Sequence, residues 1–293
     1  MDKVVYYLRK SFRDPELIVP FIKQQIVSRY LDLKCKIHKE NLDSQLDLIN
    51  NIREEDEFLL IVLDACRYDV LNDVVEDYFP QSKAKPVYNK ARNTFEWGKN
   101  VWGNGLYTCK YISGAVPINS KELDFEADGF ESLYDGYVPA EHLLNLRDAW
   151  AEAWDEDLGI APPEPITEIA LEEGEDRMVV HYFQPHAPYI GEEQELGYTE
   201  GKDALPNKGK PADKMIWDKV KSGEISDEKL RELYRLNLYR VLKSVEELVE
   251  KVNHDNIVIT ADHGEALGEC GIYEHPENLN HPKVRVVPWV EVN

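Results

Sequence analysis

Asn256-Ile-Val-Ile-Thr-Ala-Asp-His-Gly-Glu-Ala-Leu-Gly268 is the stretch that decides the fold. Its apolar run is short, as in a buried strand, and the chain then reaches Asp262 and His263. Gly264 follows directly and permits a sharp turn. Sites in open α/β sheets form where the strands end. The stretch therefore predicts a strand with two metal-binding side chains at its carboxyl end.

Two further stretches repeat this pattern of a buried strand followed by polar chemistry. Phe58-Leu-Leu-Ile-Val-Leu is followed by Asp64, and Arg177-Met-Val-Val-His-Tyr-Phe183 by Gln184-Pro-His-Ala-Pro188. Carboxylate and imidazole donors suit Mn, Zn, Mg or Ca better than they suit a thiolate-binding metal. The strand ends thus predict a metal site made of Asp64, Asp262 and His263, and three loop histidines can reach the same edge: His186, His275 and His281.

Strands alternate with helical patterns along the 293 residues, which predicts an α/β fold with a mostly parallel central sheet and helices on both faces. We predict helices at 94–101, 139–154, 165–172 and 226–252, and a surface excursion or lid at 190–212. Residues 1–50 are expected to form a helical, partly basic extension, and residues 51–293 a catalytic domain.

Charge and cysteine content narrow the choice of partners and compartment. The formal charge of −22 disfavours nucleic acid, because phosphates are repelled. Residues 1–40 are the exception, with nine Lys or Arg against five Asp or Glu. Such a basic amphipathic segment can contact a membrane surface, or it can form helices packed on their own domain. The four scattered cysteines favour reduced thiols and a cytoplasmic protein, which this segment can place at the membrane periphery.

The sequence resembles the alkaline-phosphatase superfamily, and within it the sulfatase-like branch, from about Phe58 to Val292. Three motifs carry the resemblance: Val62-Leu-Asp-Ala-Cys-Arg67, His181-Tyr-Phe-Gln-Pro-His-Ala-Pro-Tyr189 and Thr260-Ala-Asp-His-Gly-Glu-Ala-Leu-Gly-Glu269. It implies an alkaline-phosphatase-like fold in which Asp64, Asp262 and His263 bind one metal ion. It also implies a nucleophile at the start of a helix.

Thr94 is the predicted nucleophile. Family sulfatases convert a Cys or Ser within C-x-P-S-R to formylglycine, and none of the four cysteines has that context. Phosphatases and phosphotransferases of the family instead use Ser or Thr, and Thr94 lies in the matching place between the first strand and the next helix. Metal coordination at Thr94 would activate its hydroxyl. The alternatives are that Thr94 only caps a helix, or that Thr108 or Ser113 is the nucleophile.

Two departures from the family pattern put a second metal in doubt. Gln184 stands where many relatives have Asp, and Cys270 where a His often follows Leu-Gly-Glu. His186, with either His275 or His281, is then expected to contact the transferred group or a weaker second ion. We expect Arg67 to bind a tetrahedral anion beside the metal, and His181 to be structural.

The sequence therefore predicts a metal-dependent hydrolase or transferase of phosphate esters or diesters with a Thr nucleophile. One alternative is a sulfuric-ester hydrolase that works without formylglycine. Another is a catalytically silent binding protein on the same fold, because fold does not fix function.

Overall fold

The computed structural model describes residues 18–120, 136–191 and 212–292, with side chains described from residue 22 and, in the last range, from residue 216. Its helices and strands are, in chain order, α1 Ile18–Asn41, α2 Gln45–Ile52, β1 Phe58–Leu63, α3 Tyr68–Asn72, α4 Val75–Tyr78, β2 Ala84–Tyr88, α5 Thr94–Trp102, β3 Tyr107–Ser113, β4 Leu143–Arg147, α6 Ala149–Glu152, α7 Pro163–Glu173, β5 Arg177–Tyr182, α8 Ala212–Ser222, α9 Asp227–Lys251, β6 Ile257–Thr260, β7 Ala266–Leu267, β8 Tyr273–Glu274, α10 Pro282–Arg285 and β9 Val286–Val292.

Seven strands form one sheet in the order β2-β9-β6-β1-β5-β3-β4. All neighbouring pairs are parallel except those of β9, which runs antiparallel to both β6 and β2. The central strand β1 is entirely apolar and entirely buried, as expected when helices cover both faces of a parallel sheet. The predicted α/β class with a mostly parallel sheet is confirmed. Strands β7 and β8 form a separate small hairpin.

Helix boundaries follow local capping signals. Asn93 and Ser226 cap α5 and α9, each accepting a hydrogen bond from a backbone N–H in the first turn. α9 buries one face, including Leu230, Leu238 and Val245, and packs against α7. The predicted helices at 94–101, 165–172 and 226–252 are thereby confirmed.

The predicted helix at 139–154 is wrong. A 3₁₀ turn at Pro139–Glu141 leads into β4, which pairs in parallel with β3, and only Ala149–Glu152 is helical. β4 is an edge strand with Leu143 buried and Leu144 exposed. Its short alternation of apolar and polar residues resembles part of a helical pattern, and pairing with β3 decides between the two.

The N-terminal segment is one helix over the described residues. Helix α1 runs continuously from Ile18 to Asn41. Helix α2 crosses the predicted boundary at residue 50, and its Ile49 belongs to the main core. Residues 1–17 lie outside the described residues. So does the predicted lid at 190–212, except for residues 190, 191 and 212 at its ends. Among the described helices, none combines the length and apolarity needed to cross a membrane.

Candidate active site

The first group of candidate ligands lies at the carboxyl ends of two adjacent strands. Val62 of β1 pairs with Thr260 of β6, so Asp64 and Asp262 follow their strands at matching positions. The backbone N–H groups of Ala65 and His263 donate to Oδ1 of Asp262, at 3.1 and 2.7 Å. These two bonds fix the carboxylate and leave its other oxygen, Oδ2, directed away from the backbone.

Three ligand atoms of this group face one another in a buried space. Oδ1 of Asp64 lies 3.3 Å from Nε2 of His263, and Oδ2 of Asp262 lies 3.6 Å from the same nitrogen. Neither carboxylate oxygen has a hydrogen-bond partner among the described residues. Ligands of a four-coordinate ion lie about 2.0–2.2 Å from the ion and so about 3.5 Å apart. The three atoms therefore fit one shared divalent cation, which also removes the cost of leaving buried carboxylate oxygens unpaired.

The ring of His263 is oriented for this role by its neighbour. Its Nδ1–H donates to the carbonyl oxygen of Gly264 at 2.9 Å, which leaves Nε2 as the nitrogen with the available lone pair. Gly264 is required for steric reasons, because a Cβ there would lie 2.1 Å from the carbonyl oxygen of Lys283. The Asp-His-Gly sequence thus supplies two candidate ligands, and its glycine lets the backbone at Lys283 pack directly against the backbone at Gly264.

The electrostatics of the group also call for a cation. Burial raises the pKa of Asp262, and the neighbouring Asp64 carboxylate raises it further. Burial acts against the charge on Asp64 as well, but His186 and His263 lower its pKa to about 2. The two carboxylates overcome the effect of burial on His263 and raise its pKa to about 10. Without a metal ion, a protonated imidazole supplies the positive charge; with one, that proton must leave.

Thr94 lies beside these ligands at the start of α5. Its hydroxyl is 3.4 Å from Oδ2 of Asp64, and the residue is 5% exposed. Asn93 takes the capping position and accepts from the N–H of Glu96 at 2.9 Å, so capping is done by Asn93 and not by Thr94. The helix N-terminus favours negative charge next to this hydroxyl.

A second group of candidate ligands consists of His186, Glu265 and His275. Nδ1 of His275 lies 3.2 Å from Oε1 of Glu265, whose Oε2 is buried without a hydrogen-bond partner among the described residues. The Nδ1–H of His186 donates to the carbonyl oxygen of Ala187 at 2.6 Å. The rings of His263 and His275 are 4.5 Å apart between centroids, so the two groups adjoin.

Glu265 supplies the carboxylate of this second group. The residue is 1% exposed. The amide nitrogen of Gln184 instead donates to the carbonyl oxygen of Ala161 at 3.0 Å. The signal in the sequence was the position of Glu265, two residues after His263 and just before the β7–β8 hairpin that carries His275.

His281 and Arg67, two further predicted site residues, lie outside both groups. Nδ1 of His281 accepts the N–H of Lys283 at 3.1 Å, and burial lowers the pKa of the ring to about 4. Arg67 donates from all three guanidinium nitrogens, to both oxygens of Asp69 and to Glu269. Carboxylates of the chain thus accept from three of the five N–H groups predicted to hold a tetrahedral anion. Arg67 joins the segment after Asp64 to the segment after the Asp262–His263 pair.

Three further side chains, His181, Gln45 and Asn89, contact Asp262 or the backbone next to it. His181 is fully buried; its Nδ1 shares a hydrogen bond of 2.8 Å with the hydroxyl of Tyr111, and its Nε2 lies 3.7 Å from Oδ2 of Asp262. Gln45 donates to the carbonyl oxygen of Ala261 at 2.6 Å, and Asn89 donates to that of Asp262. His181 was assigned a structural role from its sequence position. Gln45 and Asn89 carried no sequence signal.

A groove of about 870 Å³ is lined by residues of α5, of the loop before it, of the segment after β8 and of α10. Asn93 and Pro276, which line it, adjoin Thr94 and His275 in the sequence. Four cationic and two acidic side chains also line it: Lys90, Arg92, Lys99, Arg285, Glu96 and Glu277. In a chain with a formal charge of −22, this local excess of positive charge is unusual.

No protein-family model matches the chain, and neither does any curated protein. Similar solved structures include the soluble domain of lipooligosaccharide phosphoethanolamine transferase A from Neisseria meningitidis, 13% identical with a TM-score of 0.45 over 80% of this chain and 75% of that one. Phosphonate monoester hydrolase of Agrobacterium radiobacter is 14% identical with a TM-score of 0.43, over 82% and 64%. A 2-O GAG sulfatase is 12% identical with a TM-score of 0.43, over 82% and 64%.

This chain spans less than two thirds of the phosphonate hydrolase and of the sulfatase. With identities this low and TM-scores below 0.5, the assignment of a function depends on the side chains of the site itself.

Proposed function

We propose that the protein is a metal-dependent hydrolase or transferase of phosphate esters or diesters, with Thr94 as nucleophile and Asp64, Asp262 and His263 as metal ligands. One observation carries the proposal: two buried carboxylate oxygens without hydrogen-bond partners face an imidazole nitrogen, and a threonine hydroxyl lies 3.4 Å from one of these carboxylates. A silent fold that only binds a metal ion has no need for a hydroxyl at this position beside the ligands.

A divalent ion bound there supplies positive charge that favours the alkoxide of Thr94 and offsets charge that develops on the transferred group. The chain provides the remaining requirements. The hydroxyl of Thr94 is held against Asp64, and the first turn of α5 favours an anion in front of it. Thr94 Oγ1 gives up its proton to solvent and forms a bond to phosphorus as the ester bond to the leaving oxygen breaks. Water or an acceptor alcohol then attacks phosphorus and loses a proton, and the bond from phosphorus to Thr94 Oγ1 breaks as that oxygen takes up a proton.

The second group, His186, Glu265 and His275, is proposed to serve the leaving and entering oxygens. It adjoins the first group through His263 and His275. Its carboxylate and imidazole donors suit a second, weaker divalent ion. In the absence of that ion, the imidazoles would give a proton to the leaving oxygen and take one from the acceptor.

The basic groove is proposed to bind the part of the substrate that is not transferred. Nε and Nη1 of Arg285 are buried and have no hydrogen-bond partner among the described residues. A substrate with a second anionic group would bring acceptors to this wall of the groove. Location in the cytoplasm remains a proposal from the cysteines, all four of which are free thiols.

The test compares Thr94→Ala with Thr94→Ser on para-nitrophenyl phosphate, bis-para-nitrophenyl phosphate and para-nitrophenyl sulfate. We expect Thr94→Ala to lower turnover on the order of 10³-fold or more while the bound metal is kept, and Thr94→Ser to retain measurable turnover. Trapped protein should carry phosphate on residue 94 in wild type and Thr94→Ser. Full activity of Thr94→Ala would eliminate Thr94 as nucleophile.

The same assay separates the alternatives. Faster turnover of the sulfate ester than of either phosphate ester would favour the sulfuric-ester hydrolase. Metal binding without turnover of any ester would favour the catalytically silent binding protein.

A further inference from the structure

Helix α1 exposes a row of large apolar side chains. Ile22, Ile26, Tyr30, Leu33 and Ile37 are between 45% and 63% exposed. They follow one another at intervals of four, four, three and four residues, which places them on one face of the helix. Seven described large apolar residues are this exposed, and five of them belong to this row. Exposed apolar side chains normally occur singly, so a continuous row indicates a binding surface.

The opposite face of α1 attaches the helix to the rest of the protein. Leu31 and Cys35, about half a turn away from the row, are buried, and α1 packs against α10. Asn280 donates to Oδ1 of Asp32 at 2.9 Å, which adds a polar tie to the same region. The helix thus has two apolar faces, one used within the protein and the other open to the surroundings.

Basic side chains border the exposed row on both sides. At 3.6 residues per turn, Lys23 and Lys34 lie along one border, and Arg29 and Lys36 along the other. All four are exposed, and the ammonium group of Lys34 lies over the ring of Tyr30 at 5.6 Å from its centroid. An exposed apolar row bordered by cations is not expected on a helix that faces only water, least of all in an acidic protein. It matches the shape of a helix that lies in a lipid headgroup layer, apolar face down and cations at the level of the phosphates.

We propose that α1 lies on an anionic lipid surface, with the row from Ile22 to Ile37 inserted among the upper acyl chains and the bordering cations against lipid phosphates. Charge complementarity selects this occupant over a second copy of the chain. Two such helices would bring together eight cations against two acids, the Glu40 of each helix, which lies 3.9 Å from Lys36. The cations also overcome, locally, the repulsion between lipid and the acidic remainder of the protein.

This surface contact would place the candidate active site close to the membrane. Helix α10, on which α1 packs, contributes the carbonyl oxygen of Lys283 that leaves no room for a side chain at Gly264. Gly264 directly follows the ligand His263. If the proposed function holds, phosphate esters displayed at a membrane surface are then the natural class of substrate; the lipid contact itself does not depend on that function.

The lipid contact is tested by co-sedimentation of the full chain with phosphatidylcholine vesicles, with and without phosphatidylglycerol. We expect binding to the anionic vesicles, weakening as salt is added, and about tenfold or more loss of binding for the double variant Ile26→Glu, Leu33→Glu. Leu106→Glu is the matched control, since Leu106 is 69% exposed and lies off the row. It should bind vesicles like wild type.

Two outcomes overturn the proposal. The first is absence of wild-type binding to anionic vesicles. The second is a wild-type oligomer in sedimentation velocity that Ile26→Glu, Leu33→Glu converts to monomer while vesicle binding is unchanged, which assigns the row to a second copy. Retained metal content and thermal unfolding in the double variant exclude misfolding as the cause of lost binding. Loss of vesicle binding with unaltered ester turnover in solution leaves the proposed function intact.

Discussion

The two adjoining groups of candidate ligands differ in depth and in charge. Asp64, Asp262 and His263 are at most 1% exposed and bring two carboxylates to one imidazole. The second group brings one carboxylate, Glu265, to two imidazoles, and the side chain of His275 is a quarter exposed. The first group therefore combines more negative charge with less access to water.

This difference indicates a division of labour. A deep group with two unpaired carboxylate oxygens binds an ion tightly and keeps it, whereas a shallow group exchanges its ion or works through its imidazoles alone. An ion held by the first group would lie beside the hydroxyl of Thr94, which is 3.4 Å from Asp64, and the second group would serve the leaving and entering oxygens of the ester.

The largest effect is expected for Asp64→Asn. The change removes one of the two charges that hold the ion and the carboxylate next to the hydroxyl of Thr94. Turnover should fall on the order of 10³-fold, measured on the best of the three nitrophenyl esters. Asp69→Asn serves as a control for loss of a nearby acid, because Asp69 pairs with Arg67 and Lys283 and not with the ligands. Equal losses of turnover in Asp64→Asn and Asp69→Asn would contradict the role of the first group as the tight metal site.

A smaller effect is expected for Glu265→Gln, which keeps shape but removes the one charge of the second group. Turnover should fall about tenfold to a hundredfold, and excess divalent ion should restore part of it. The ion in the first group should stay bound, as measured by metal content after dialysis. Loss of that ion would mean that the two groups form a single site.

The pH dependence of metal binding should separate the groups further. The pKa of His263 is raised to about 10 by two carboxylates, so the metal-free protein carries a proton there at neutral pH. Because the ion needs the neutral imidazole, its affinity should rise with pH by up to about tenfold per unit, with proton release on binding. Calorimetry in buffers of different ionisation enthalpy measures this release. Binding without proton release would refute the assignment of His263.

The smallest effect is expected for Tyr111→Phe, which removes the hydroxyl bonded to His181 behind Asp262. Turnover should fall a few-fold, up to about tenfold, with metal still bound. Tyr182→Phe is a matched control: Tyr182 is equally buried and loses one hydrogen bond to Thr167, away from the ligands. The two variants should lose similar thermal stability, about 1 kcal/mol each, but only Tyr111→Phe should lose activity. Equal turnover in both would assign His181 a purely structural role.

The strands and their ends were predictable from sequence because each is a local pattern. An apolar run followed by a carboxylate identifies β1 with Asp64 and β6 with Asp262, and helix caps identify α5 and α9. The edge strand β4 was missed, since its short alternation is compatible with either a strand or a helix until a pairing partner is known.

The remainder of the site depends on distances between segments far apart in the sequence. The pairing of Glu265 with His275 requires the β7–β8 hairpin, and the bond from Arg67 to Glu269 requires that residue to fold back towards the segment after Asp64. No spacing rule predicts Gln45 reaching Ala261, because the two segments meet only in the folded chain. Sequence patterns thus locate the candidate ligands, whereas the fold determines which other side chains form hydrogen bonds to them or to the backbone next to them.

The most direct measurement is the metal content of the purified protein after dialysis, in parallel for wild type, Asp262→Asn and Glu265→Gln. We expect one tightly held divalent ion per chain in wild type and in Glu265→Gln, and none in Asp262→Asn. An equal metal content in wild type and Asp262→Asn, or no binding to wild type after reconstitution with Mn, Zn, Mg or Ca, would contradict this expectation.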